Sequence, residues 1–151
     1  MTDSTTTPVS IGPAGAEDFG AVTALLTANA LPVADLHPPL ADFLLAREGG
    51  RVIGTIGLER YGAAGLLRSL AVDPDRRSHG IGGRLVTALE AHAAATGIGT
   101  LYLLTTTAAD YFARRRYEVI GRDLAPEAVR RSAEFAALCP ASAVCLRRAL
   151  G

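Results

Sequence analysis

The sequence contains no lysine, so all 15 of its basic residues other than histidine are arginines. Without lysine there is no P-loop lysine to bind nucleotide phosphates and no lysine to form a Schiff base. Most kinase, nucleotide-hydrolase and pyridoxal chemistries are therefore excluded. A phosphate site in this chain has to be built from backbone N–H groups and arginine side chains.

Cysteine is also scarce. The two cysteines, Cys139 and Cys145, do not have the spacing of a zinc site. We expect them to be reduced and to pack in the core rather than to bind arsenic or a metal. No histidine, cysteine or aspartate cluster has ligand spacing, so we expect no metal.

The chain lacks any apolar run near the roughly 18 residues of a membrane helix. Its start, MTDSTTTPVS, has neither the basic nor the apolar part of a secretory signal. A formal net charge of zero gives no sign of a nucleic-acid partner. We therefore expect a cytoplasmic protein with no membrane or nucleic-acid partner, a disordered tail over 1–8 and a single domain over 9–151. The sequence leaves open whether the chain forms a homodimer.

Periodicity and turn residues predict a mixed α/β fold, with a mostly antiparallel sheet of six or seven strands and about four helices. The predicted strands cover 9–14, 42–48, 51–60, 66–72, 100–106, 117–124 and 142–148. The predicted helices cover 16–30, 81–96, 108–116 and 126–139. Tight turns join the second, third and fourth strands into an antiparallel meander.

A glycine-rich turn carries the strongest functional signal. In LAVDPDRRSHGIGGRLV (70–86) a strand ends, a basic loop follows, and Gly80, Gly82 and Gly83 introduce an amphipathic helix. Glycines let backbone N–H groups approach an anion, the helix start adds positive potential, and Arg77 can donate two hydrogen bonds. This pattern indicates a pyrophosphate site, although an ordinary surface turn with arginines remains an alternative. A dinucleotide-binding turn is excluded because the glycines follow an antiparallel meander rather than the first strand of a βαβ unit.

Residues Arg77–Gly82 fit the Q/R-x-x-G-x-G/A signature of the GNAT N-acetyltransferase superfamily, and 70–74 resembles the strand that precedes it. Residues 111–117 resemble the second cofactor segment of that superfamily, LYxKxGF. The resemblance covers the chain from Val9 onward and implies acetyl-CoA as co-substrate and a small-molecule amine as acceptor. We expect acetyl-CoA contacts from Leu70, Ala71, Val72, Arg77, Ser78, His79, Gly80, Ile81, Gly82, Gly83, Thr107, Phe112 and Arg115.

The second segment departs from the pattern of the superfamily at two positions. Phe112 stands where a tyrosine is frequent, and Arg116 stands where a glycine is usual, so the turn there is expected to differ. The missing tyrosine leaves open an alternative function, a non-catalytic sensor that binds acyl-CoA.

Four segments resemble the acetyltransferases encoded in bacterial arsenic-resistance operons. These segments are 31–36, 67–72, 104–108 and 134–143. The resemblance implies a place in arsenic or xenobiotic detoxification and an amino-acid-like acceptor.

The resemblance also implies how the chemistry runs. The strand at 66–72 would splay from the strand at 100–106, and the backbone N–H of Val72 would stabilise the oxyanion. Glu59 is the first candidate for the base, although a solvated hairpin charge would explain it too. Tyr111 could protonate the leaving thiolate, or it could simply pack on its helix.

Arg68 is a charge in the middle of a strand that helices cover. It either pairs with a carboxylate of the protein or binds a carboxylate of the substrate, and we expect the second. Asp35, in the proline-rich loop 31–40, could contact the substrate amine or could serve as a turn residue. Thr105 is the third expected substrate contact.

Overall fold

The computed structural model describes residues 8–151 apart from the side chain of Ser78. The tail predicted over 1–8 thus falls almost entirely outside the described residues, as does the expected side-chain contact of Ser78. The strands are β1 (Val9–Pro13), β2 (Phe43–Glu48), β3 (Arg51–Tyr61), β4 (Ala64–Val72), β5 (Thr100–Thr105), β6 (Glu118–Ile120) and β7 (Val144–Ala149). The α-helices are α1 (Phe19–Ala28), α2 (Ile81–Ala95), α3 (Ala109–Arg114) and α4 (Glu127–Arg130).

The seven strands form one mixed sheet in the order β1-β2-β3-β4-β5-β7-β6. Strand β2 pairs antiparallel with β1 and β3, and β7 pairs antiparallel with β5 and β6. The parallel pair is β4 with β5, where Ala64–Leu66 lie opposite Thr100–Tyr102. These pairings confirm the predicted mixed α/β fold with a mostly antiparallel sheet. The paired residues lie at the start of both strands, and the splay expected between their later parts stays a prediction.

The described residues form two compact units, and the first comprises residues 8–57 together with Ser69–Leu89. Helix α2 packs closely on β3 in this unit because Gly54 has no side chain. A Cβ atom at position 54 would lie 2.9 Å from Leu85 and 3.3 Å from Ile81. An apolar cluster in this unit comprises Val22, Leu26, Leu36, Leu40, Phe43, Leu45 and Ala71.

The second unit comprises Leu58–Arg68 and Glu90–Gly151. Its apolar cluster comprises Leu66, Tyr102, Ala125, Val129, Phe135 and Cys145. Burial raises the pKa of the Cys145 thiol to about 11, which keeps it protonated at neutral pH. Both cysteines are free thiols, and Cys139 is half-buried. The single domain expected over 9–151 stays a prediction.

Two predicted elements differ most from the extent that the sequence indicates. The strand predicted over 117–124 ends at Ile120, because a 3₁₀ turn follows at Arg122–Leu124 and the Leu124 N–H bonds to the Gly121 carbonyl. The helix predicted over 126–139 splits into α4 and a π-helix, Glu134–Leu138. The hydroxyl of Ser132 accepts a hydrogen bond from the Phe135 N–H (3.4 Å), which competes with the regular helical ladder. Within residues 8–151, no helix is both long and apolar enough to cross a membrane.

Candidate active site

The turn between β4 and α2 has a fixed backbone. Strand β4 ends at Val72, and the carboxylate of Asp73 then accepts a hydrogen bond from the N–H of Asp75 at 2.9 Å. Gly80 has a φ of +75°, in the left-handed region that glycine adopts without strain, and α2 begins at Ile81. The first signature glycine is thus required by the turn itself.

The second signature glycine, Gly82, is not required by the packing. Among the described residues, a Cβ atom at position 82 would meet only Val72, at an ordinary contact distance of 3.8 Å. Glycine in a helix costs about 1 kcal/mol relative to alanine. Because no described protein atom compensates for that cost, the open space at Gly82 fits the close approach of a ligand. The first N–H groups of a helix lack helical partners and lie at the positive end of its dipole, so the approaching group would be an anion.

Two arginines of the turn differ in their surroundings. The Nε and Nη2 atoms of Arg76 donate to the Glu48 carboxylate at 3.0 and 2.7 Å, so Arg76 ties the turn to β2. Arg77 is exposed and donates to the side-chain oxygen of Asn29, which follows the end of α1. The signature arginine is therefore at the surface, where an anion can reach it.

The other residues predicted for this part of the cofactor site differ in their exposure. The side chains of Ala71 and Ile81 are buried in the core, so only their backbones can contact a ligand. Leu70 and Val72 are half-buried, and His79 is exposed. Gly83 lies in the first turn of α2. Their contacts with acetyl-CoA, and the oxyanion role of the Val72 N–H, stay predictions.

The second cofactor segment contains a buried hydroxyl group. Among the described residues, the hydroxyl of Tyr111 has no hydrogen-bond partner. The ring of Phe112 packs edge-on against Tyr111 and Tyr117, with centroid distances of 5.2 and 5.3 Å. Arg115 places its guanidinium carbon 5.8 Å from the centroid of the Tyr111 ring. Phe112 is therefore a core residue, whereas a buried hydroxyl without a protein partner fits a bound ligand atom.

Arg116 follows the end of α3 and has a left-handed conformation, with a φ of +74°. The N–H of Arg116 donates to the Ala113 carbonyl and the N–H of Tyr117 donates to the Phe112 carbonyl. These two bonds form a Schellman motif, in which the left-handed residue is usually glycine. Arg116 therefore takes the backbone conformation for which glycine is the usual residue, and the expected difference in this turn is not seen in its backbone.

Thr105 ends β5 and organises the turn that follows. Its hydroxyl oxygen accepts hydrogen bonds from the N–H groups of Ala108 and Thr107, at 2.9 and 3.3 Å. The hydroxyl thus holds the turn that leads into α3, as hydroxyl side chains do in turns. A substrate contact from Thr105 and a cofactor contact from Thr107 stay predictions.

Glu59 is held by two hydrogen-bond donors rather than being a solvated hairpin charge. Arg68 Nη1 donates to its Oε2 at 2.6 Å, and the hydroxyl of Tyr61 donates to its Oε1 at 2.5 Å. Arg68 Nη2 also lies 3.5 Å from Oε2 of Glu134 in the π-helix. The hydroxyl of Ser132 in turn hydrogen-bonds to Tyr61. We call these five residues the Glu59 network.

The environment of Arg68 favours a protein ion pair over the expected contact with a substrate carboxylate, which stays a prediction. Its guanidinium already pairs with Glu59 and Glu134, and its side chain is 0% exposed. This is the other alternative that the sequence left open, a protein ion pair. The pairing follows from the desolvation cost of a buried charge, which two nearby carboxylates offset.

Sequence reasoning missed three members of the Glu59 network. Tyr61 could have been found, because residues two apart on a strand point to the same face and 59 and 61 both lie on β3. Glu134 and Ser132 could not, because no local pattern joins them to β3.

Asp35 lies in a turn of the proline-rich loop and is half-buried, and its predicted contact with the amine stays a prediction. Within the described part of the chain, no group of three or more histidine, cysteine or acidic residues could hold a metal ion.

Two curated proteins with related sequences are amino-acid acetyltransferases. The enzyme of Azotobacter vinelandii is 35% identical over 95 residues, which make up 62% of this chain and 22% of that protein. The enzyme of Ectopseudomonas mendocina is 42% identical over 85 residues, which make up 55% of this chain and 20% of that protein. The chain therefore spans about a fifth of the length of these relatives.

Solved structures with the same fold include two complexes with coenzyme A. N-acetylglutamate synthase from Neisseria gonorrhoeae, complexed with coenzyme A and N-acetyl-glutamate, matches with a TM-score of 0.82 and 25% identity, over 95% of this chain and 35% of that chain. Rv2747 from Mycobacterium tuberculosis, in complex with CoA, matches with a TM-score of 0.79 and 23% identity, over 93% of this chain and 98% of that chain. At 23% identity, the match to Rv2747 shows a shared fold and carries no conclusion about function.

The profile of one family matches most of the chain. It is described as the acetyltransferase (GNAT) family, and the match covers residues 17–121. That range contains both the glycine turn with its open space at Gly82 and the segment with the buried hydroxyl of Tyr111. The chain belongs to the acetyltransferase (GNAT) family.

Proposed function

We propose that the chain is an acetyl-CoA-dependent N-acetyltransferase that acts on the amine of a small amino-acid-like molecule. The observation that carries the proposal is the glycine turn, where Gly80 shapes the backbone and Gly82 leaves open space at the start of a helix. The pyrophosphate of acetyl-CoA suits such a start, and the signature position of Gly82 admits only glycine or alanine. The named relatives and the N-acetylglutamate synthase support an amino acid as the acceptor class.

The reaction assigns a role to each of three residues. The amine nitrogen forms a bond to the thioester carbonyl carbon, and the bond from that carbon to sulphur breaks. Glu59 would take the proton that the amine gives up. The N–H of Val72 would donate to the carbonyl oxygen as it becomes negative, and the Tyr111 hydroxyl would donate a proton to the leaving sulphur.

The cofactor half of the proposal is tested by a substitution in the open space. Gly82→Leu should weaken acetyl-CoA binding at least about tenfold, which corresponds to about 1.4 kcal/mol, because the new side chain occupies the approach path. Isothermal titration calorimetry with acetyl-CoA measures the change. Gly20→Leu is the matched control, since Gly20 also lies in a helix and a Cβ atom there would meet nothing within 4 Å. Equal affinity of wild type and Gly82→Leu, or no affinity in the wild type, would contradict the proposal.

The acceptor half is tested by a thiol-release screen. The panel contains acetyl-CoA with amino acids, their decarboxylated amines, and phosphinate and arsinate analogues of glutamate. Release that requires an amino acid supports amino-acid acetylation, and fastest release with the analogues would support the finer proposal of arsenic or xenobiotic detoxification. Binding of acetyl-CoA without release for any amine would instead indicate a sensor. The cytoplasmic location and the homodimer stay predictions.

A further inference from the structure

The Glu59 network has a feature that the proposed reaction does not use, a guanidinium buried between two carboxylates. Resting on the proposed function, we infer that Arg68 is a positioning residue which, together with Tyr61, fixes the carboxylate of Glu59 as the base. Arg68 therefore acts on the reaction through Glu59 and does not contact the carboxylate of the acceptor.

The charged groups of the network are buried to different extents. The side chain of Arg68 is 0% exposed and that of Glu134 is 6% exposed, whereas that of Glu59 is 27% exposed. Of these three charged groups, Glu59 is the one that a molecule from solvent can reach. An acceptor can therefore meet Glu59 without displacing the arginine behind it.

Two hydrogen bonds fix the geometry of the Glu59 carboxylate. The donors from Arg68 and Tyr61 bind different oxygens of Glu59, which fixes both the position and the plane of the carboxylate. Each carboxylate oxygen has two acceptor positions, so each retains one for a proton. Burial and the hydrogen bond to Glu59 raise the pKa of Tyr61, so its hydroxyl remains a donor across the working pH range.

The charges of Arg68, Glu59 and Glu134 do not cancel. Two carboxylates surround one guanidinium, so these three groups together carry a net charge of minus one. Glu134, whose side chain is 6% exposed, offsets part of the positive charge of Arg68. Arg68 can then orient Glu59 without fully neutralising it, and the remaining negative charge favours an approaching ammonium group.

The alternative role for Arg68, direct binding of the acceptor carboxylate, predicts different kinetics. Direct binding would make the KM of a carboxylated acceptor sensitive to Arg68 and would leave an acceptor without a carboxylate unaffected. A positioning role predicts a loss of kcat for both acceptors, because the base is displaced whichever amine is bound.

The test uses Tyr61→Phe and the double variant Arg68→Gln with Glu134→Gln, which removes one charge of each sign from the buried cluster. The matched control is Arg147→Gln with Glu118→Gln, an exposed pair of the same residue types 2.9 Å apart. The acceptors are the amine with the fastest thiol release and its analogue without the carboxylate. Glu59→Gln is measured in parallel as the reference for loss of the base.

We expect both network variants to lower kcat about 10- to 100-fold for both acceptors, with KM changed less than about threefold. The control should retain wild-type kinetics. Tyr61→Phe removes only one hydroxyl, so the inference stays testable if the double variant unfolds.

Two results would overturn the positioning role while leaving the proposed function standing. One is a rise in KM confined to the carboxylated acceptor, and the other is wild-type kcat in Tyr61→Phe for both acceptors. If the wild type releases no thiol with any amine, the proposed function fails, and the role of the Glu59 network fails with it.

Discussion

Arg47 holds both carboxylate oxygens of Asp18, with Nη1 3.0 Å from Oδ1 and Nη2 2.6 Å from Oδ2. The same carboxylate accepts a hydrogen bond from the Gly15 N–H at 2.7 Å. The arrangement ties β2 to the turn that begins α1. The hydrogen bonds from Arg47, and then the one from Gly15, hold the pKa of Asp18 below its usual value of 3.8.

The pairing predicts a pH-dependent loss of stability. A carboxyl group with a lower pKa in the folded state stabilises the protein above pH 3.8, and this contribution is lost as the pH falls through the folded-state pKa. Asp18→Asn should therefore lower the free energy of unfolding by about 2 kcal/mol at pH 7, and the difference from wild type should shrink at pH 3. Urea denaturation at both pH values measures this. The exposed neighbour provides the control, since Glu17→Gln should change stability by less than about 0.5 kcal/mol. An equal loss at pH 7 and pH 3 would exclude the mechanism.

Tyr117 predicts a second pH effect, at the alkaline end. Its buried hydroxyl donates to Glu90 Oε2 at 2.8 Å, and Arg148 donates to the same oxygen at 2.9 Å. Burial, followed by the charge of Glu90, raises the pKa of Tyr117 above its usual 10.0. The unfolded chain then loses this proton at lower pH than the folded protein, so stability should fall as the pH rises above about 10. Tyr117→Phe should reduce this fall in denaturation experiments between pH 8 and pH 11, and an unchanged slope would count against it.

Arg116 predicts a substitution that increases stability. A left-handed conformation costs a residue other than glycine about 1–2 kcal/mol, and part of this is offset by the backbone freedom that glycine loses on folding. Arg116→Gly should therefore raise the free energy of unfolding by about 1 kcal/mol. Arg114→Gly makes the same chemical change inside α3 and should lower it by about the same amount. Opposite signs for the two variants in urea denaturation would support the assignment, and equal signs would contradict it.

The secondary-structure elements that a local sequence pattern determines were predicted from the sequence. The stripe of apolar residues in α2 and the tight turns of the meander are each encoded within a few neighbouring residues, and the helix and strands formed where they were expected. The strand predicted over 117–124 and the helix predicted over 126–139 were too long. In the helical segment, Ser132 bonds to the backbone N–H of Phe135, and periodicity does not record such local competition.

In the candidate site, too, the local features were predicted and those that depend on tertiary packing were not. The signature predicted the glycine turn, but not that the turn itself requires Gly80 whereas the packing leaves open space at Gly82. The partner of Arg68 was left as two alternatives because Glu134 is distant in sequence and is brought to it only by tertiary packing. Buried charges need partners, and which partner is chosen depends on the folded chain.

The π-helix at Glu134–Leu138 has a consequence for how the chain tolerates insertions and deletions. Its N–H bond from Cys139 to the Glu134 carbonyl spans one residue more than an α-helical bond. Deleting a single residue there would restore an α-helical turn and rotate the preceding side chain by about 100°, which would carry the Glu134 carboxylate away from Arg68. Homologues that lack this residue should therefore also lack the buried charge pair, so the two differences should appear together in an alignment.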